Sequence, residues 1–321
     1  MQKKNTVKEY NSNYYEYIEY DRWWLDYGTD LGLKKLQDAK RLDLLSESFL
    51  LQMFINPFTP VFLCDHHYQP TVFKGLPSTV KLKLNLLNEN SIQFIDDHDI
   101  VCCESDSFEM FVEKIIPNLK KKVFLFTYRW YLPQVSKSRH SEIVLNHPNI
   151  LHWFSQNPIY PSSRKYSGFP YGINEGSLLD YTNIFLNYNG SKYVNFLHLP
   201  VSNTNINRKS FKPLPLLPIK EFYEKMSFSK FVLSPEGDRP DTYRHYECIG
   251  LETVPISNIN QSLYSFFGNS MSFMKTEDME KYDGNQLIYN KPKRFLVYSD
   301  YWISKVLSIK KGMSLISNSA D

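Results

Sequence analysis

The sequence predicts an α/β protein built on parallel sheets in two domains, and three observations carry that expectation. From residue 60 onward, short apolar runs alternate with helical stretches, the pattern of strands joined by crossover helices. Residues 231–257, FVLSPEGDRPDTYRHYECIGLETVPIS, read as strand, polar loop, short helix and strand. At 321 residues with 42% apolar content, the chain can bury one large core or two medium ones, and two is the better expectation.

Taken in order, residues 10–25 are rich in Tyr, Trp, Asp and Glu, and 31–53 read as helix. The apolar runs that follow are 61–64, 100–103, 123–126 and 150–154, with a weaker one near Phe169. Open α/β sheets bind ligands outside the carboxyl ends of their strands. The residues expected there are Asp65, His66 and His67; Glu104, Ser105 and Asp106; Thr127, Tyr128 and Arg129; Gln156 and Asn157; and Tyr171 and Gly172. Each group is polar or turn-forming. Asn, Gly, Ser and Tyr replace the apolar pattern over 175–192, which predicts the linker there. A second α/β unit then starts with a strand at 193–197, followed by a polar loop that ends at Arg208. Helices are expected near 219–227 and 276–282. A last helix is expected over 294–310, with Phe295, Tyr298, Trp302 and Val306 on one packing face.

Within 231–257, the run Phe231, Val232, Leu233 is β-favouring, and Ser234, Pro235, Glu236, Gly237 and Asp238 break it. Asp241 can cap a helix that holds Thr242, Tyr243 and Arg244 in its first turn and ends at Gly250. Arg244 and Glu247, three residues apart, share one face. A helix N-terminus with an arginine in its first turn, beside a Gly-containing loop, suits a phosphate group. A carboxylate one turn later suits ribose hydroxyls. Arg208 is a further candidate for the phosphates, although a surface role fits it equally.

The pattern F-x-L-S-P-x-G, then D-x-x-R-x-x-E-x-x-x-L-x-x-V-P-I, resembles the donor-binding motif of exostosin-like glycosyltransferases and, more distantly, that of α-1,3-fucosyltransferase-type enzymes. HPNILHWFSQNPIYPSSRKYSGFPYGIN (147–174) and LFTYRWYLP (125–133) resemble further family segments. In the second of these, Tyr128, Arg129 and Trp130 stand where small and acidic residues are usual. The resemblance covers roughly residues 93–305, and about the first 60 match nothing. It implies a GT-B-like fold, two Rossmann-like domains facing across a cleft. The expected division is 1–185 on the acceptor side, 186–293 for the nucleotide-sugar donor, and 294–321 as a helix packing back on the first domain. It implies donor contacts at Ser234, Glu236, Gly237, Asp238, Arg244 and Glu247, the last to ribose or sugar. Arg208 joins these candidates, with His66, Tyr128, Arg129 and Asn157 on the acceptor side.

The implied function is transfer of a sugar from a UDP- or GDP-sugar to a hydroxyl of a glycan or other glycoconjugate. Inversion at the anomeric carbon is suggested by the resemblance alone. An inverting transferase needs a general base, and Asp65 and Glu104 lead among the acidic strand-end residues, although capping or ion pairing is the ordinary role for each. The Arg244 charge and the helix dipole would stabilise the departing diphosphate, so no metal or other cofactor is expected. Two alternatives stay open: an inactive GT-B module that binds glycans or scaffolds partners, and a metal-dependent GT-A enzyme using Asp97 and Asp99. That D-x-D precedes its apolar run instead of closing it, which favours a solvated turn.

A net charge of +3 with scattered lysines gives no argument for nucleic acid. Lys120, Lys121 and Lys122 fit a solvated loop. Cys64, Cys102, Cys103 and Cys248 lack metal-ligand spacing and read as buried thiols of a reducing compartment. The opening MQKKNTVKEYNS has no apolar core of a signal peptide, and no run approaches membrane-spanning length, so a cytoplasmic enzyme of bacterial or viral type is expected. G-x-S-x-G, Walker A and G-x-G-x-x-G motifs do not occur.

Overall fold

The computed structural model describes residues 50, 53–68, 85–128, 135–199, 208, 210–211 and 214–318, with side chains through residue 313. The described chain folds into two compact units. One holds Pro57–Phe169 and the chain from Trp302 onward; the other holds Pro170–Tyr301 and the residues up to Asn56.

The first unit begins with helix α1 (Thr59–Leu63) and strands β1 (His66–Tyr68), β2 (Leu86–Leu87) and β3 (Ile100–Glu104). It continues through α2 (Phe108–Lys114), β4 (Val123–Tyr128), α3 (Arg139–Asn146), β5 (Ile150–Gln156) and β6 (Tyr166–Phe169). The strands form one sheet in the order β2-β1-β3-β4-β5-β6, every neighbouring pair parallel. Strands β3 and β4 are buried along their whole length, as parallel strands with both faces covered must be, which is why they read as continuous apolar runs. On one face Val101, Cys103, Leu125 and Trp153 form a core with Phe108, Phe111 and Val112 of α2. Trp153 stacks on Phe108 with centroids 5.4 Å apart and donates from Nε1 to Thr127 Oγ1 at 2.8 Å. On the opposite face Phe126 packs on Phe154 and Phe169, and Phe169 meets Trp302 at 6.0 Å.

The run 61–64, expected as a strand, is instead α1 followed by an extended Cys64. Pro60 explains the difference. Its fixed φ and missing N–H suit the first helical turn, and a short apolar run buried on all sides has no period to tell strand from helix.

The second unit holds α4 (Leu178–Asn187), β7 (Val194–Leu197), α5 (Ile219–Ser227), β8 (Ser229–Leu233), α6 (Tyr243–Gly250), β9 (Val254–Ser257), β10 (Ser272–Phe273) and α7 (Thr276–Met279). Its parallel sheet has the order β10-β9-β8-β7. Phe231, Leu233, Val254 and Ile256 pack with Phe211, Met279 and Tyr282. Lys192 ties this packing at the far end of the sheet, its Nζ donating to Ser227 O, Leu251 O and Thr253 Oγ1 at 2.6–2.8 Å. Two of those acceptors lie at the C-terminal ends of α5 and α6, where a cation suits the helix dipole.

The 175–192 stretch is no linker. The turn Glu175–Ser177 leads into α4, and Leu178, Tyr181, Thr182 and Phe185 bury one face; the chain passes between the units between Phe169 and Pro170. Polar and aromatic residues fill a helix here because packing of that face outweighs weak intrinsic propensity. Gly172, just after the crossing, has φ +95° and lies so close to the backbone of Ile55 that any side chain would collide. The expected last helix is split. Residues Arg294–Val297 form a tight 3-10 turn, Tyr298 is extended, and α8 spans Ser299–Asn318. Trp302 and Val306 are buried as expected, but Phe295 is 42% exposed and packs on Tyr301.

Candidate functional site

The loop from β8 to α6 is held chiefly through its own backbone. Ser234 N–H extends the ladder to Ile256 O at 2.8 Å, and Glu236 N–H donates to Asn258 Oδ1 at 2.8 Å. Arg208 donates from Nε to Glu236 O at 2.8 Å and from Nη2 to Pro235 O at 3.2 Å. A side chain on Gly237 would come within 2.7 Å of that guanidinium, so Arg208 would have to shift to accommodate it. Arg244 donates to Leu233 O at 3.4 Å and stands over the Phe222 ring at 5.1 Å. Burial, together with the like charge of Arg244, pulls Arg208 down to about 10. Two cations therefore converge on residues 233–237, at the N-terminal end of α6. Asp238 is exposed, and the hydroxyl of Ser234 is buried without a hydrogen-bond partner among the described residues.

Asp241 does not cap the helix; Thr242 is the N-cap. Its carboxylate is instead a buried hub. One oxygen accepts from Tyr171 N–H at 3.0 Å and Tyr246 OH at 2.5 Å, and the other lies 3.0 Å from His245 Nδ1. His245 Nε2 lies 3.1 Å from Ser234 O and 3.0 Å from Ser257 Oγ. Asp241, His245 and Ser257 thus pin the ends of β8 and β9 to the start of α6. All three are fully buried, so the constellation holds the loop and has no open nucleophile.

Glu247 differs from its expected placement toward a bound ribose. It is 4% exposed, and its Oε1 accepts from Tyr223 OH at 2.9 Å, which in turn meets Ser177 Oγ at 2.6 Å. Burial pushes its carboxyl up to about 7, against the pull of Tyr223, Arg244 and the backbone N–H of Asn174.

Neither known protein families nor curated proteins match this chain. Its own geometry therefore carries the functional argument.

In the first unit, the carboxyl edge of the sheet carries Glu104, Tyr128, Gln156 and Asn157, all buried. Tyr128 OH reaches Glu104 Oε1 at 3.5 Å, and Asn157 turns the chain with φ +53°, a conformation asparagine tolerates. Arg129 lies outside the described residues. Asp65 and His66, expected on this edge, lie on the opposite one. Because Thr59–Leu63 is a helix, Asp65 precedes β1, and it accepts from the N–H of Ile100 at the start of β3 at 2.8 Å. Burial raises its carboxyl, with Lys310 opposing at 4.0 Å. His66 Nε2 pairs with Asp99 Oδ2 at 2.9 Å. Four residues of strand, roughly 13 Å, separate Ile100 from Glu104.

Asp97 accepts from the backbone of Lys122 at 2.8 Å and pairs with Lys121 at 3.0 Å. Among the described residues no three His, Cys, Asp or Glu side chains are grouped to hold a metal ion. All four cysteines are buried thiols outside any disulfide. Sequence reasoning missed one thiol contact: Cys102 Sγ lies 2.8 Å from His67 Nδ1. Burial opposes ionisation of this thiol, but Cys64, His67 and Tyr128 outweigh it and pull Cys102 down to about 6. The one available signal was register, since His67 and Cys102 are partners across the β1–β3 pair.

Proposed function

We propose that this protein is a glycosyltransferase that binds a nucleotide diphosphate-sugar at the carboxyl edge of its second sheet, the donor half of a GT-B-like enzyme. The observation that carries the reading is the convergence of Arg208 and Arg244 on the β8–α6 loop. Arg208 donates to two backbone carbonyls of the loop and Arg244 to a third, so both guanidiniums are fixed against it. Charge-assisted bonds to phosphate, added to the helix dipole, would neutralise a diphosphate as the sugar–oxygen bond breaks. The acceptor, on this reading, is a hydroxyl of a glycan or glycoconjugate. The attacking hydroxyl loses its proton to a base, and Glu104 is the better candidate because it stands at a carboxyl edge where Asp65 does not. Titration calorimetry with UDP, GDP and their sugars tests the reading, and dissociation constants in the micromolar range with release of free nucleotide diphosphate are expected. No binding of either nucleotide would end it.

The second reading is a module that binds without transferring. The complete burial of Glu104 and the displacement of Asp65 favour it. Nucleotide binding with no donor hydrolysis and no transfer would select it.

A further inference from the structure

The motif assigns the hydroxyl-binding carboxylate to Glu247, yet in the fold that side chain is spent. Tyr223 OH and the backbone N–H of Asn174 both donate to it, and it is buried among α4, α5 and α6. A second carboxylate stands on the phosphate-binding loop itself. Glu236 is half-buried, and its position is built. Asn258 accepts from its N–H at 2.8 Å and donates toward its Oε1 at 3.5 Å, while the same Asn258 amide is fixed by Thr276 Oγ1 at 3.0 Å. Arg208 holds its carbonyl. One short segment thus places a guanidinium and a carboxylate side by side at the carboxyl ends of β8 and β9.

Resting on the donor reading above, we infer that Glu236, and not Glu247, is the residue that accepts hydrogen bonds from the ribose hydroxyls of the bound nucleotide. An ionised carboxylate only accepts, and a vicinal diol offers two donors, so the pair is complementary. Partial burial raises the Glu236 carboxyl while Arg208 opposes the rise; a half-desolvated acceptor bonds a hydroxyl more strongly than one in bulk water. Arg208, one backbone bond away, keeps the group beside the phosphate subsite. The arrangement also makes the loop a discriminator of ribo- from deoxyribonucleotides.

The test is calorimetric titration of the full chain with UDP and GDP and with their 2′-deoxy counterparts. The wild type is expected to prefer the ribonucleotide by about tenfold or more, the effect of one charge-assisted hydrogen bond. Glu236→Ala should abolish that preference, and it should weaken the ribonucleotide more than the deoxynucleotide, which loses only the bond from its 3′ hydroxyl. Glu247→Gln should keep it. If Glu236→Ala does not fold, Glu236→Gln supports the same comparison, with the preference reduced by removal of the charge. A wild type without preference, or a Glu236 variant that retains it, overturns the inference and leaves the donor reading standing. Failure of all four nucleotides to bind the wild type overturns the donor reading, and this inference falls with it.

Discussion

The carboxyl edges of the two sheets present charge in opposite ways. In the second unit, Arg208 and Arg244 are anchored by the carbonyls of Leu233, Pro235 and Glu236. In the first unit, Glu104 ends β3 fully buried, with the Tyr128 hydroxyl 3.5 Å away. One edge fixes cations through the backbone and keeps them half-buried; the other encloses an acid among side chains. A backbone-anchored charge can meet a large anion without rebuilding the loop, whereas an enclosed carboxylate suits a single proton.

The largest expected effect tests the enclosed acid. If Glu104 is the base, Glu104→Gln should lower transfer by roughly 10²- to 10⁴-fold, the usual contribution of general-base catalysis. Asp65→Asn should change transfer only a few-fold. Initial rates with the preferred donor check this, and equal losses for both variants would break the distinction between the two edges of that sheet.

Next comes the buried hub of the second unit. Asp241→Ala removes the acceptor for Tyr171 N–H, Tyr246 OH and His245, and should cost about 3–5 kcal/mol, the range for breaking a buried charged network. Asp65→Ala loses chiefly one backbone bond, at about 1 kcal/mol. Urea denaturation of the two variants measures the contrast; similar losses would mean that Asp241 does not organise the loop.

Some of this was legible in the chain and some was not. Strands β3, β4, β5, β8 and β9 announce themselves as apolar runs closed by turn formers, and Gly237 and Arg244 follow from local spacing. Helix α1 was hidden because an apolar run of that length has no period, although Pro60 was the cue. Helix α4 was hidden by its Asn and Tyr content, although 178, 181, 182 and 185 keep helical spacing. The contacts that join Tyr223 to Glu247 and His245 to Ser257 span 24 and 12 positions, and no local pattern predicts a partner at that range. Arg208 lies 28 positions from the carbonyl it holds, so its spacing alone left a surface role equally open.

A smaller effect is pH-dependent. Glu247 has its carboxyl at about 7 in the folded chain against 4.5 for an unperturbed group. Between those values the unfolded chain has released a proton that the folded chain retains, so stability falls as pH rises from about 4.5 to about 7. The loss is on the order of 3 kcal/mol. Glu247→Gln should flatten that slope in denaturation curves taken across the window. An unchanged slope would place the titrating group elsewhere.

The most direct test of the central claim is the affinity of Arg244→Ala for UDP and GDP, measured together with its melting temperature. Loss of a charge-assisted bond worth about 1.5–3 kcal/mol predicts roughly 10- to 150-fold weaker binding of the nucleotide diphosphate, with the melting temperature only modestly lowered by the lost contacts to Leu233 and Phe222. Unchanged affinity for both nucleotides alongside a steep fall in melting temperature would contradict the account, because Arg244 would then serve the fold alone.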